Sequence, residues 1–396
     1  MSDQEVKIPH GKRIFLLTLM GAFILGSAVD IFVPSLPYIS KSLNADPTMV
    51  KLAVMFYLIS YGICQFFAGS LSDSFGRKKT ILISVFGYML SSYLITFSVS
   101  IHMFLFLRIM QGVFAAGIGV NSRAILSDCF SGKTLSKYAS YLLIGWAVGP
   151  VIAPFIGGYL QEYFSWHACF YFSVIFSSVV FILMILWLPE THHQRTRFHI
   201  KPLLKNYQIV LSNKNFVLGA FICGIAYAFI TVYNVIGPFL VQSVLGYNAI
   251  TYGHIALFLG LSWLMGILLF RFFLAKEKTE NLTKYALFLS VFIIVITLIF
   301  AVIGHLNLMI LVIPFILLFV FGSIVFTDTF ASVVKLFPTI GGSASAAMGA
   351  MFAIISGGTS GIASSLKTHS IIPMVIFYLV IILIALICFF FIRNRA

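Results

Sequence analysis

Three features of the sequence predict an all-α, polytopic membrane protein with twelve transmembrane helices. Hydrophobic residues make up 60% of the 396 residues, charged residues only 9%, and the mean hydropathy is +1.05. A soluble globular chain carries about 25% charged residues. Twelve apolar runs can be marked, at roughly 14–38, 49–70, 80–98, 102–125, 138–160, 168–188, 215–242, 251–273, 285–304, 307–334, 341–363 and 370–392. Each is long enough to cross a hydrocarbon core of about 30 Å at about 1.5 Å per residue. Segments such as FILMILWLP and IILIALICFFF do not alternate apolar and polar residues, which excludes a β-barrel.

The first run carries one charge, Asp30, inside DIFVPSLP. An acid at that depth is costly and marks a pathway or a binding site. Pro34 and Pro37 end the helix beyond it. Between the second and third runs lies GSLSDSFGRKK, Gly69 to Lys79. Gly69 permits close packing and Gly76 a tight turn, and Asp73 can pair with Arg77. Charges clustered at a helix boundary make a conformational latch. Arg123, near the inner end of the fourth run, is grouped with them.

The fourth run holds Arg108, Gln111 and Gly112. The first and fourth runs cross in opposite directions, so Arg108 and Asp30 fall at similar depth. Each charge is costly alone and cheaper beside the other, so the expectation is a buried ion pair that serves proton coupling. A cationic substrate could compete for the same carboxylate. Gln111 continues the face of Arg108. The fifth run contains GWAVGPVIAPFIGG, with Gly145, Gly149, Pro150, Pro154, Gly157 and Gly158. In lipid, such residues give a bend and a thin, closely packed face.

The longest connection, 189–214, divides the chain into an N-terminal six-helix bundle at 1–188 and a C-terminal one at 215–396. Residues 198–212 are expected to form a short surface helix on this cytoplasmic linker. In the seventh run Tyr227, Tyr233 and Asn234 are candidates to line a substrate cavity with Asp30, Arg108 and Gln111. Asp328 in the tenth run is either a second titratable site or a helix cap. The eleventh run repeats the small-residue band as GGSASAAMGA, while Trp263 and the many Phe read as core or lipid-facing.

With both termini inside, every Lys and Arg falls on a cytoplasmic end or loop except Lys41, Lys51, Lys367 and the intramembrane Arg108. The net charge of +14 is therefore a topology signal, and no nucleic-acid partner is expected. The first run is too long for a cleaved signal peptide. The ten residues before it are polar. The five cysteines are scattered, His192 and His193 stand alone in the linker, and no phosphate-binding loop or metal-ligand spacing is present. Neither an enzyme nor a cofactor is expected.

These motifs resemble the Major Facilitator Superfamily, and within it the drug:proton antiporters of the bicyclomycin and chloramphenicol resistance type. GSLSDSFGRKK looks like the loop signature at Asp73, Gly76 and Arg77. DIFVPSLP resembles the first-helix motif and LRIMQG the fourth-helix motif. The fifth run is similar to the antiporter motif at Gly149, Pro150, Pro154, Gly157 and Gly158. The resemblance implies two pseudo-symmetric halves around a central cavity, alternating access, and a monomer in the bacterial inner membrane. It implies that the acid matching Asp30 couples protons to substrate with support from Arg108. It also implies that Asp73 braces the N-terminal end of the eleventh helix. His167 and Ser127 stand where relatives carry Arg, and the first run lacks a second acid. Export of small organic molecules or drugs, export of a siderophore-like product, and proton-coupled import of a metabolite all fit this pattern.

Overall fold

The computed structural model describes residues 11–192, 200–275, 281–304 and 307–393. The N-terminal decapeptide, His193, and the basic residues Lys7, Arg195, Arg197, Lys276, Lys278 and Arg395 lie outside them. Among the described residues there are fourteen α-helices and no strand. Helix α1 (Gly11–Asp30) stops at the intramembrane acid, and a 3-10 turn at Val33–Ser35 leads into α2 (Leu36–Ser42). Pro34 and Pro37 cause this break, because neither can donate to the preceding turn.

Helix α3 (Pro47–Phe75) starts under Asp46, whose side chain accepts from the Thr48 amide at 2.7 Å. That bond holds the Asp46 carboxyl below the usual carboxylate range. The helix ends at Gly76, where φ is +96°. An L side chain would be strained there, so the sharp step into α4 (Arg77–Ile95) needs glycine. Then follow α5 (Ile101–Cys129), α6 (Gly132–Tyr163) and α7 (Trp166–Trp187). The linker supplies α8 (Ile200–Ser212). Helix α9 (Lys214–Pro238) runs on as a π-helical turn at Phe239–Val244. The chain continues with α10 (Ala249–Ala275), α11 (Leu282–Ile303), α12 (Leu308–Val334), α13 (Gly341–Ser364) and α14 (Ile372–Arg393).

Among the described residues, 11 helical segments are long and apolar enough to cross a membrane. The third run of the sequence, now α4, is not one of them. Its first turn carries Arg77, Lys78 and Lys79, which lowers its hydropathy. At 19 residues it still measures about 28 Å, and it packs against α5 and α7 like its neighbours.

The helix pairings repeat six spans apart. Helix α1 packs on α6, α3 on α5, and α4 on α5 and α7; likewise α9 packs on α13, α10 on α12, and α11 on α12 and α14. Helices α3 with α13, and α6 with α10, join the two sets. Both junctions are built on glycine. A Cβ at Gly62 would sit 2.7 Å from the Ala350 carbonyl oxygen, and one at Gly158 2.6 Å from that of Ala249. Gly260 of α10 presses on Val151 in return. Gly149 and Gly157 of α6 lie directly on the α1 backbone at Gly26 and Ile31, while Gly145 faces Leu19. Without a hydrophobic drive between helices in lipid, this close approach supplies the packing.

Gly157→Val should therefore destabilise the protein by about 1–3 kcal/mol through overpacking. Gly358→Ala, where no atom lies within 4 Å, should be neutral or stabilising. Thermal unfolding of the two purified variants beside the parent protein checks the contrast.

Candidate functional site

Asp30 and Arg108 are both inside the protein, at 1% and 0% exposure, but they do not form the ion pair that their depth predicts. The Asp30 Oδ1 accepts from Asn234 Nδ2 of α9 at 2.5 Å. Tyr252 of α10 donates its hydroxyl to Asn234 Oδ1 at 3.3 Å. The acid is thus tied to the seventh and eighth membrane helices. Its Oδ2 has no partner, and neither has Arg108 Nη2.

Arg108 is held by other means. Its Nη1 donates to Gln111 Oε1 at 2.6 Å and to the Ala28 carbonyl at 3.2 Å. Its guanidinium lies 4.3 Å from the Phe32 ring centre and 4.6 Å from that of Tyr57. Two ring faces and backbone dipoles replace the missing carboxylate. The break after Asp30 frees the Ala28 carbonyl from part of its helical duty.

Two cavities lie between the helices. The larger, about 350 Å³, is lined from Ala22, Leu25, Tyr61, Gln65, Ser122 and Arg123 on one side to Trp146, Trp263, Phe326, Phe330 and Phe352 on the other. Apart from Ala22 and Leu25, which lie past the middle of α1, these positions occupy the half of each helix nearer the N-terminal end of α1. The smaller cavity, about 30 Å³, continues inward past Trp146, Pro150, Pro154, Tyr227 and Asn234. Tyr227 stacks on Trp146 with ring centres 5.9 Å apart.

The opposite end is closed by bonds between elements distant in sequence. Gln242 Nε2 donates to the Pro34 carbonyl at 2.9 Å. Lys51, 2% exposed, donates to the carbonyls of Ser364 and Leu366 at 3.5 and 3.4 Å. The Ala249 amide donates to Glu162 at 3.3 Å. Lys51 also lies 5.0 Å from the Phe239 ring centre. It thereby places a cation at the negative C-terminal end of α13.

The charged loop forms a compact cluster at the cavity end. Arg77 pairs with Asp73 at 2.5 Å and with Asp128 of α5 at 3.0 Å. Its Nη1 also donates to Ser72 Oγ at 2.9 Å, and Ser72 is itself bonded to Asn121. Glu190, after α7, accepts from the amides of Arg77, Thr191 and His192 at 2.9 to 3.1 Å. Helix α8 docks on α13, α9 and α3. Tyr207 donates to the Phe66 carbonyl at 2.9 Å and Asn206 reaches Ser343 of α13 at 3.5 Å. Burial pushes the Tyr207 hydroxyl up to about 12.

The structure places several of the predicted residues as follows. The Asp30–Arg108 pair is replaced by Asp30–Asn234, because the Phe32 and Tyr57 rings and Gln111 capture the guanidinium first. Arg108 and Gln111 line neither cavity: Gln111 bridges to Ser92 at 2.7 Å. Tyr233 lines neither, since its hydroxyl donates to the Leu311 carbonyl at 3.0 Å. Gly69 makes only ordinary contact, 3.7 Å from Val120. Asp73 is bound to Arg77 and does not brace α13. Arg123 sits on the cavity wall and donates to Gln65 Oε1 at 3.3 Å. Asp328 is bonded to Thr283 of α11 at 2.5 Å. Helix α8 rests on α3 and α13.

The residues that sequence reasoning missed are Tyr252, Trp146, Gln65, Asp128 and Glu190, together with Trp263 as cavity wall. A lone Trp within the glycine-rich fifth run was the visible signal for Trp146. Tyr252 had none, because its partner lies on another helix.

An all-α assembly of membrane-crossing helices, with a cavity at one end, a closed opposite end and buried charge between, has the architecture of a secondary transporter. Residues 18–361 match the Major Facilitator Superfamily, and the chain belongs to that family. As a member of that family it is a membrane transport protein. It is 26% identical over 390 residues to the bicyclomycin resistance protein homolog of Haemophilus influenzae, covering 96% of each chain. It is 28% identical over 214 residues to multidrug resistance protein D of Escherichia coli, covering 53% of each. Its fold matches the crystal structure of a D-xylose-proton symporter with a TM-score of 0.79 at 14% identity, covering 98% of each chain.

Arg77→Met removes two charged bonds in the loop cluster, and the unfolding free energy should fall by about 1.5–3 kcal/mol, measured by denaturant unfolding in detergent. Tyr207→Phe should speed amide exchange in residues 204–212 with little change elsewhere. In the parent protein the neutral Tyr207 hydroxyl stabilises the docked helix. Its folded value is raised above the ordinary 10.0, so the contribution is complete below about pH 10 and is lost as pH rises toward 12. Exchange protection of α8 should follow that curve.

Proposed function

We propose that the protein is a proton-coupled exporter of small organic molecules or drugs, of the bicyclomycin and chloramphenicol resistance type. The single observation that carries this reading is Asp30. It is an acid buried at membrane depth, bonded across the molecule to Asn234, with one carboxylate oxygen unpartnered. When ionised, it accepts a strong charge-assisted bond from Asn234. When protonated, it loses that strength and gains a donor of its own. One proton therefore changes the tie between α1 and α9, which is the physical requirement for coupling.

In this reading residues 1–188 and 215–396 are two bundles that rock against each other, with 189–214 as their cytoplasmic linker. The glycine junctions α3–α13 and α6–α10 are the surfaces on which they move. Both termini are cytoplasmic, in the bacterial inner membrane, and the protein acts as a monomer. Cytoplasmic termini make this an inward-facing state, with the cavity open to the cell interior and the Lys51, Gln242 and Glu162 bonds closing the outside. The glycine and proline face of α6 supports antiport over import.

Asp30→Asn should reach the membrane at normal levels and abolish proton-driven counterflow in reconstituted vesicles, while leaving slow downhill exchange. Unchanged proton-driven transport by that variant would end the assignment. An imposed gradient also fixes direction: antiport should alkalinise the lumen as substrate enters, whereas symport should acidify it.

A further inference from the structure

The larger cavity is chemically one-sided. Its wall from α6, α10, α12 and α13 is aromatic, with Trp146, Trp263, Phe326 and Phe352. Its wall from α3 and α5 carries Gln65, Ser122 and Arg123. Among the described residues that line it, Arg123 is the only charged one, and no carboxylate faces it. Asp73 and Asp128 are bound to Arg77, and Asp328, next to the lining residue Thr327, accepts from Thr283. Asp30 belongs to neither cavity wall. A cationic substrate would find no counter-charge here.

The hydrogen bonds beside Arg123 have the same sign. Arg123 Nη2 donates to Gln65 Oε1 at 3.3 Å. A guanidinium can only donate, so this bond fixes the carbonyl end of the Gln65 amide toward it and turns the NH2 group away. Gln65 is 1% exposed and its Nε2 has no partner. Ser122, equally buried, has a hydroxyl without a partner. Buried polar groups are almost always satisfied, which makes the unpaired Gln65 amide NH2 a donor in reserve beside Arg123. Arg123 is thus the charged donor on this wall, with the Gln65 amide NH2 beside it unpaired, while the Ser122 hydroxyl faces Gly21.

We propose that this pole binds the carboxylate of an aromatic or otherwise apolar organic anion, with Arg123 and Gln65 as the residues that select it. The body of the ligand lies against Trp146, Trp263 and Phe352. The planar guanidinium fork suits a carboxylate better than a point charge does. The proposal rests on the transporter reading above and narrows its substrate class. It separates the substrate's charge from the proton's, since Arg123 and Asp30 serve different ligands.

The test is calorimetric titration of the purified full-length protein at pH 7.5 with three probes of one size: 2-naphthoate, 2-naphthamide and 2-naphthylmethylammonium. The parent protein should bind the carboxylate at least about tenfold more tightly than either of the others. Arg123→Gln should erase that preference while leaving the affinity for the amide in place, and Arg123→Lys should restore part of it. Gln65→Leu should weaken carboxylate binding severalfold by the loss of one donor, and it decides the question if Arg123→Gln does not fold. Equal affinity for the three probes, preference for the ammonium, binding of none, or a carboxylate preference that survives both substitutions would overturn the proposal. Carboxylate selectivity without proton-driven flux would leave this site standing and remove proton coupling instead.

Discussion

The structure depends on keeping two opposite charges, Asp30 and Arg108, out of lipid without letting them neutralise each other. A direct pair would be the simplest compensation for burial. The protein divides the task. Arg108 is enclosed by Phe32, Tyr57, Gln111 and backbone carbonyls within the first six spans. Asp30 is left to reach Asn234 on α9. A charge whose bonds all lie within one set of helices cannot report on the other set. A charge whose partner lies across the molecule can, and α1 ends at that residue.

The glycine contacts have the complementary role. Helices α6 and α10, and α3 and α13, meet backbone to backbone at Gly158, Gly260 and Gly62. In the reading proposed above, these thin contacts are the surfaces on which the two bundles rock. The polar bonds that do cross are concentrated at the closed end, at Lys51, Gln242 and Glu162. These are separate bonds on separate elements, and reopening that end exchanges them for water one at a time. At the other end the Arg77 cluster binds α3, α4 and α5 together with Glu190 after α7. Among the described residues, these bonds use none of α13.

The proton and the substrate have different addresses in the reading argued here. Asp30 lies beyond the small cavity, behind Asn234, while Arg123 and Gln65 face the large one. Trp146 and Trp263 line both cavities, and Trp146 stacks on Tyr227. A ligand against the Trp146 ring bears on α6, the helix that packs against both α1 and α10.

The sequence by itself determined the spans, the breaks after Asp30 and at Gly76, the thin face of α6 and the inward direction of Asp30 and Arg108. Hydropathy, proline and glycine act locally or along one helix, so their consequences can be read from order alone. Only the tertiary structure decided that Asp30 meets Asn234 instead of Arg108, that Tyr233 turns to the Leu311 carbonyl, and that Arg123 joins the cavity wall. Those choices depend on helix rotation and on which of several polar groups at one depth comes within about 3 Å. Residues as far apart in the chain as Asp30, Asn234 and Tyr252 become neighbours only when the helices pack.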